Sequence, residues 1–163
     1  PLSDWLRVIY GNLVTMFLVD TAACRIMIRQ GHGGSIINTC SMAASCVMQG
    51  PSYTTFDNSS YGVSKAGVLY LTKSLASQVI RYGIRVNSIS PGHITPAKNK
   101  NGGGQLAGSE FDAETMAAFE NSQPIKRTCD VEELMGGLLY LASDASSYCV
   151  GMDLLIDGGH TIW

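Results

Sequence analysis

The sequence predicts an α/β fold: a parallel sheet with helices on both faces. Apolar residues recur at helical spacing in two long segments, and short runs rich in Ile, Val and Leu read as strands. The two kinds of segment alternate along the chain. Strands joined by helical crossovers lie parallel, and the handedness of those crossovers places helices on both sides of the sheet.

Ser3 and Asp4 are placed to cap a first helix whose stripe runs through Trp5, Val8, Asn12, Leu13, Met16, Ala23 and Met27, and Gly31-His-Gly-Gly34 stops it. Ser35-Ile-Ile-Asn-Thr-Cys40 reads as a short buried strand, and residues 41–57, rich in Ser, Thr, Gly and Pro, as a loop. A long helix is predicted from about Ser59 to Tyr82. Val68, Leu71, Leu75, Val79 and Tyr82 form one apolar stripe on it; Ala66, Leu69, Ala76 and Ile80 form another. One stripe suffices for a surface helix, so the second implies cover by a partner such as another subunit.

Gly83 ends that helix, and Ile84 to Ser90 is the next strand, closed by Pro91-Gly92. Residues 96–109, with Pro96 and Gly102-Gly-Gly104, read as a mobile loop. Glu114 to Phe119 is a short helix. Asp130 caps another through Leu134, Leu138, Leu139 and Leu141 to about Ser143, and Met152 to Ile156 is the last strand. There are no internal repeats, and residues 1–163 read as part of one domain.

With 45% hydrophobic and 15% charged residues, 163 residues suit a globular protein with a core and exclude disorder. A net charge of -2 offers no basic face to nucleic acid. No apolar run is seen to approach the roughly 20 residues a membrane span needs, and no signal peptide opens the chain. The start, Pro1-Leu-Ser-Asp-Trp5, lacks an initiator Met, so a piece of a longer protein is expected. Five scattered cysteines without CxxC predict reduced thiols and a cytoplasmic setting. His32, His93 and His160 have no partners at ligand spacing, so no metal site is expected.

Tyr61-Gly-Val-Ser-Lys65 puts a phenol and an ammonium on one helix face at i and i+4. A lysine charge beside a tyrosine favours the phenolate, which suits a proton donor and acceptor near neutral pH. By itself YxxxK is common on solvated helices. Ser41 closes the first strand, where its hydroxyl can point into the crevice at the strand's carboxyl end. Asn12 interrupts an apolar stripe, and a buried amide there needs a partner.

Five ordered blocks extend this reading: Trp5–Leu13 (WLRVIYGNL), Gly34–Ser41 (GSIINTCS), Tyr61–Gly67 (YGVSKAG), Ile84–Gly92 (IRVNSISPG) and Leu141–Gly159 (LASDASSYCVGMDLLIDGG). Together they resemble the C-terminal part of a short-chain dehydrogenase/reductase. The resemblance implies a partial Rossmann-like, doubly wound parallel sheet. It also implies an NAD(P)-dependent oxidoreductase that interconverts a carbonyl and a secondary alcohol.

In that reading Tyr61 exchanges the proton with the substrate oxygen. Lys65 lowers the Tyr61 pKa and binds the nicotinamide ribose, Ser41 binds the substrate oxygen, and Asn12 holds a water on a proton path to Lys65. Pro91, Gly92, Ile94 and Thr95 would lie beside the nicotinamide, and residues 96–122 would cover the substrate. His93 would face substrate or sit exposed in a loop, Asn87 would be structural, and Asp157-Gly158-Gly159 would turn near a subunit contact. Gly159-His-Thr-Ile-Trp163 resembles fungal polyol and sugar reductases.

Two departures matter. Ser41 precedes Tyr61 by 20 residues, more than the family's usual dozen; Tyr53 has the usual spacing, but Asp57 follows it where Lys is required. Tyr61 is therefore kept, residues 45–57 are read as holding an insertion, and Ser45 is the second candidate serine. The family's glycine-rich dinucleotide turn is also absent: Gly31–Gly34 ends a helix, and Gly102–Gly104 lacks the flanking strand and helix. NAD and NADP are thus not distinguished. The alternative is an inert fragment acting at most as an oligomerising module; a sugar-binding module without redox chemistry leaves the assembled motifs unexplained. The expected partners are a small-molecule substrate and further copies, as a homodimer or homotetramer, with neither nucleic acid nor membrane.

Overall fold

A computed structural model describes residues 1–48, 59–95 and 113–163. Gly34–Thr39 (β1), Ile84–Pro91 (β2) and Asp153–Ile156 (β3) form a parallel sheet in chain order, with Ile36 opposite Val86 and Ile89 opposite Leu154. Side chains alternate between faces. Ile36, Ile84 and Val86 pack with Cys24, Leu75, Ala76 and Val79 on one side. On the other, Ile89 packs with Leu134 and Leu141, flanked by Ile37 and Leu154. The helices that cover the first face are α2 (Thr15–Gln30) and α3 (Ser59–Val79), the latter continued by a 3-10 turn, Ile80–Tyr82. Met135–Ala142 (α5) covers the second. Ala113–Asn121 is α4. The α/β class and the parallel sheet with helices on both faces are as the sequence predicts.

The glycine stops hold as well. Gly31 and Gly83 end their helical segments in the left-handed region, at φ 75° and 72°. The first helix differs from expectation at its start. Ser3 and Asp4 lie inside α1 (Leu2–Ile9), and Pro1 holds the N-cap without a side-chain bond. A proline tolerates the first turn because its missing N–H would have no helical partner there. Leu2–Gln30 is also continuous and apolar enough, by length and composition, to cross a membrane. That corrects the expectation that no segment is. Its docking speaks for a sheet-covering role instead, since Asp20 and Cys24 on α2 are buried in the fold.

The first stripe of α3 packs into the core except Tyr82, which is exposed. The second stripe is divided: Ala76 is buried within the chain, whereas Ile80 is exposed. Residues 96–109, and most of the segment read as an insertion, lie outside the described residues.

A buried polar cluster ties α2, β1 and α3 together. Asn38 on β1 donates to Asp20 Oδ2 at 2.8 Å and to Thr72 Oγ1 at 3.0 Å. Thr72 donates in turn to the Val68 carbonyl. Burial pushes the Asp20 carboxyl above the usual carboxylate range, and the Asn38 hydrogen bond only partly opposes it. A carboxyl raised by folding lends stability below its unfolded pKa, and that contribution is lost as pH rises through the folded value. Asp20→Asn keeps an acceptor for Asn38 without the buried charge. Its melting temperature, followed by circular dichroism, should gain on wild type as pH rises from 4 to 8. Asp20→Ala strands the Asn38 amide and should cost about 1–3 kcal/mol.

Candidate active site

The carboxyl ends of β1 and β2, the start of α3 and a helical irregularity near the N-terminus converge on Tyr61. Between α1 and α2 the backbone forms a π-helical turn, Tyr10–Val14, with Asn12 at its centre. An extra residue in a helical turn re-aims its side chains. Here the Asn12 amide donates to Ser64 Oγ at 3.0 Å, and Ser64 Oγ donates to the Tyr61 carbonyl at 2.7 Å. The partner that the Asn12 amide needs is thus a side-chain hydroxyl. Gly67 lets this segment approach α3, because a Cβ there would meet Leu13 Cδ2 at 2.7 Å.

Lys65 is buried, at 9% exposure, and its Nζ donates to the Thr39 carbonyl at 3.0 Å. Cys40, next in the chain, donates from Sγ to the Lys65 carbonyl. Ser41 accepts from the Ala43 N–H at 3.2 Å, which caps the 3-10 turn Met42–Ala44 and fixes where its hydroxyl sits. That hydroxyl lies close enough to Tyr61 to favour the phenolate. Ser45 instead sits exposed at the end of the turn. Both candidate serines lie near Tyr61: Ser41 acts on its phenol, and Ser45 shares the wall of the cavity that holds it.

The charges behave differently from the sequence expectation. Burial pushes the Tyr61 phenol above its ordinary value, the Ser41 hydrogen bond opposes this, and Cys40 adds to it. Lys65 Nζ lies 5.7 Å from the ring centroid, and burial is the larger influence on the phenol. Burial lowers the Lys65 ammonium itself, with Cys40 opposing. Desolvation outweighs the attraction of a cation whose charge already faces the Thr39 carbonyl.

At the end of β2 Pro91 is buried, and Gly92 just beyond it packs against the next loop: a Cβ there would stand 2.7 Å from Asp157 Cα. Ile94 bridges to Cys129. Thr95 donates its N–H to the Cys129 carbonyl at 2.8 Å, and its hydroxyl meets Thr128 Oγ1 at 2.6 Å. Its polar groups are thereby committed within the chain. Asn87 is structural, as expected, bonding the Cys149 carbonyl and the Met152 N–H. His93 is neither an exposed loop residue nor free: its ring stacks on Phe119 at 4.1 Å. Burial, helped by His160, lowers its pKa to about 4. Within Asp157-Gly158-Gly159, Asp157 accepts from Gly159 and Thr161. Burial would raise its carboxyl, but those bonds hold it below its ordinary value.

Tyr61 stands in the wall of a cavity of about 500 Å³, with Ala43, Val47, Val63 and Ala66. Sequence reasoning missed Ser64 and Thr39. Ser64 lies at i+3 from Tyr61, a legible signal; the Thr39 role is a backbone carbonyl, which no side-chain pattern reveals.

A family model described as enoyl-(acyl carrier protein) reductase matches residues 1–161. The chain belongs to the short-chain dehydrogenase/reductase family. It is 38% identical over 164 residues to a D-arabinitol 2-dehydrogenase (ribulose-forming) of Candida tropicalis, covering 100% of this chain and 54% of that protein. It is 39% identical over 160 residues to an NADP-dependent mannitol dehydrogenase of Hypocrea jecorina, covering 98% and 54%. A short-chain dehydrogenase from Leptospira borgpetersenii, solved with bound NAD+, superposes with a TM-score of 0.82 at 30% identity, over 96% of this chain and 56% of that one. The chain thus spans about half the length of the curated relatives it matches.

Ultraviolet difference titration of wild type against Tyr61→Phe should place the Tyr61 transition above that of an ordinary tyrosine, and Ser41→Ala should move it higher still. Gly92→Ala should cost about 1–3 kcal/mol of stability, read by thermal melting, because the Asp157 backbone must give way.

Proposed function

We propose that this chain supplies the catalytic half of an NAD(P)-dependent oxidoreductase that interconverts a secondary alcohol and its carbonyl. The observation that carries the reading is the Tyr61 phenol at the wall of a cavity, beside Ser41 and with buried Lys65 one turn along the helix. Tyr61 gives its proton to the carbonyl oxygen in reduction and takes the alcohol proton in oxidation, and Ser41 donates to the same oxygen as charge develops there. When bound, the nicotinamide group supplies or accepts the hydride at the substrate carbon.

The residues present fit such a group. An ammonium has three donors, and among the described residues one from Lys65 is used, on Thr39, which leaves two for ribose hydroxyls. Such bonds would bring Lys65 to the role that spacing assigned it, with Asn12 and Ser64 bracing the first turn of α3. Pro91, Gly92, Ile94 and Thr95 would lie beside the nicotinamide; with the Thr95 N–H and hydroxyl engaged, Ile94 is the stronger candidate for the carboxamide contact. The relatives named for arabinitol and mannitol favour a polyol or its keto sugar as substrate. Five free thiols fit a reducing, cytoplasmic setting.

A second reading has its own observation. Leu2, Phe17, Leu18, Val19 and Ile26 on α1 and α2 are exposed, as expected of a fragment that associates through its helices. Calorimetric titration of the chain with NAD+ and NADP+ separates the two: submicromolar binding favours the oxidoreductase, and no heat with either favours the inert module. In an enzyme completed with the glycine-rich half, Tyr61→Phe should lower kcat for polyol oxidation by about 10²–10⁴-fold without changing the melting temperature.

A further inference from the structure

Two cavities share Cys46 and Val47 as a common wall. The first holds Tyr61 and is otherwise mostly apolar. The second, of about 300 Å³, is completed by Ser122, His160, Thr161 and Trp163. Its polar groups are not all committed. The Thr161 hydroxyl donates to the Asp157 carboxylate at 2.7 Å. Ser122 Oγ has one hydrogen, which goes to the Phe119 carbonyl at 2.8 Å. Its 3.3 Å contact with His160 Nδ1 therefore has the ring nitrogen donating. That network assigns the Nδ1–H tautomer and leaves Nε2 as an acceptor without a partner among the described residues.

The ring is held in place. His160 meets His93 edge-on at 5.4 Å, and His93 stacks in turn on Phe119. Trp163 adds a donor: Lys126 Nζ sits 4.1 Å over its ring, while the indole N–H has no partner among the described residues.

We propose that this second cavity is a hydroxyl-recognition subsite for the far end of a polyol whose reacting carbon lies at Tyr61. His160 Nε2 accepts from one ligand hydroxyl and the Trp163 indole donates to another. The proposal rests on the oxidoreductase reading for where the reacting carbon lies. The chemistry selects for hydroxyl-rich chains, because an alcohol without distal hydroxyls leaves both groups unanswered, and a site built to bond a hydroxyl discriminates against an analogue that lacks it.

The test uses the chain itself, titrated with D-arabinitol and, separately, with 2-butanol, while the Trp163 indole N–H and His160 ring resonances are followed by NMR. Saturable shifts of both with D-arabinitol and none with 2-butanol are expected. His160→Phe keeps a ring against His93 but drops the acceptor, and should weaken D-arabinitol by about 2- to 10-fold, the range of one neutral hydrogen bond. His160→Asn, which restores an acceptor, should recover part of that loss. If His160→Phe does not fold, Trp163→Phe, read through His160, gives the same comparison. Absence of binding, shifts confined to the Tyr61 cavity, equal response to 2-butanol, or indifference to His160→Phe would each overturn the subsite. No turnover is read, so a subsite that binds D-arabinitol in an enzyme later found inactive separates this proposal from the oxidoreductase reading.

Discussion

The buried Lys65 ammonium constrains everything around it. Taking a cation from water into a protein is costly unless it is bonded, and its bond to the Thr39 carbonyl fixes α3 against the carboxyl end of β1. That single tie sets Tyr61, one turn earlier on α3, beside Ser41, two residues beyond Thr39. Cys40 closes the loop from the other side by bonding the Lys65 carbonyl. Helix and strand can then not slide without exposing or orphaning a charge.

Other polar ties reinforce the arrangement at increasing distance. Asn12 reaches Ser64 from the π turn, and Asn38 joins Asp20 to Thr72 deep under α2 and α3. Beyond β2 the same logic recurs: Ser88 and Ser90 both donate to Asp153, at 2.6 and 2.7 Å, and hold β3 in register. The sheet core is apolar, yet the alignment of its three strands with α2 and α3 is specified by hydrogen bonds. Each would leave an unpaired group if the register shifted.

Much of the fold was legible because its signals are local. Gly31 and Gly83 stop helices through backbone conformation, and the strands announce themselves as short runs of Ile and Val. The capping of α1 was misjudged because Ser3 and Asp4 compete with a proline that suits the first turn as well. The extent of the Leu2–Gln30 helix was read correctly, but its apolar character was missed because scattered polar residues break up the run when read linearly.

The chain's own residues determined the element order, the pairing of Tyr61 with Lys65 and the likeness to a dehydrogenase family, since periodicity, turn residues and ordered motifs are written in neighbouring positions. Tertiary structure alone decided that both Ser41 and Ser45 come near Tyr61, that burial raises its phenol where a nearby cation was expected to lower it, and that His93 stacks between Phe119 and His160. Those outcomes depend on desolvation and on contacts between residues far apart in the chain, and neither quantity exists until the segments pack.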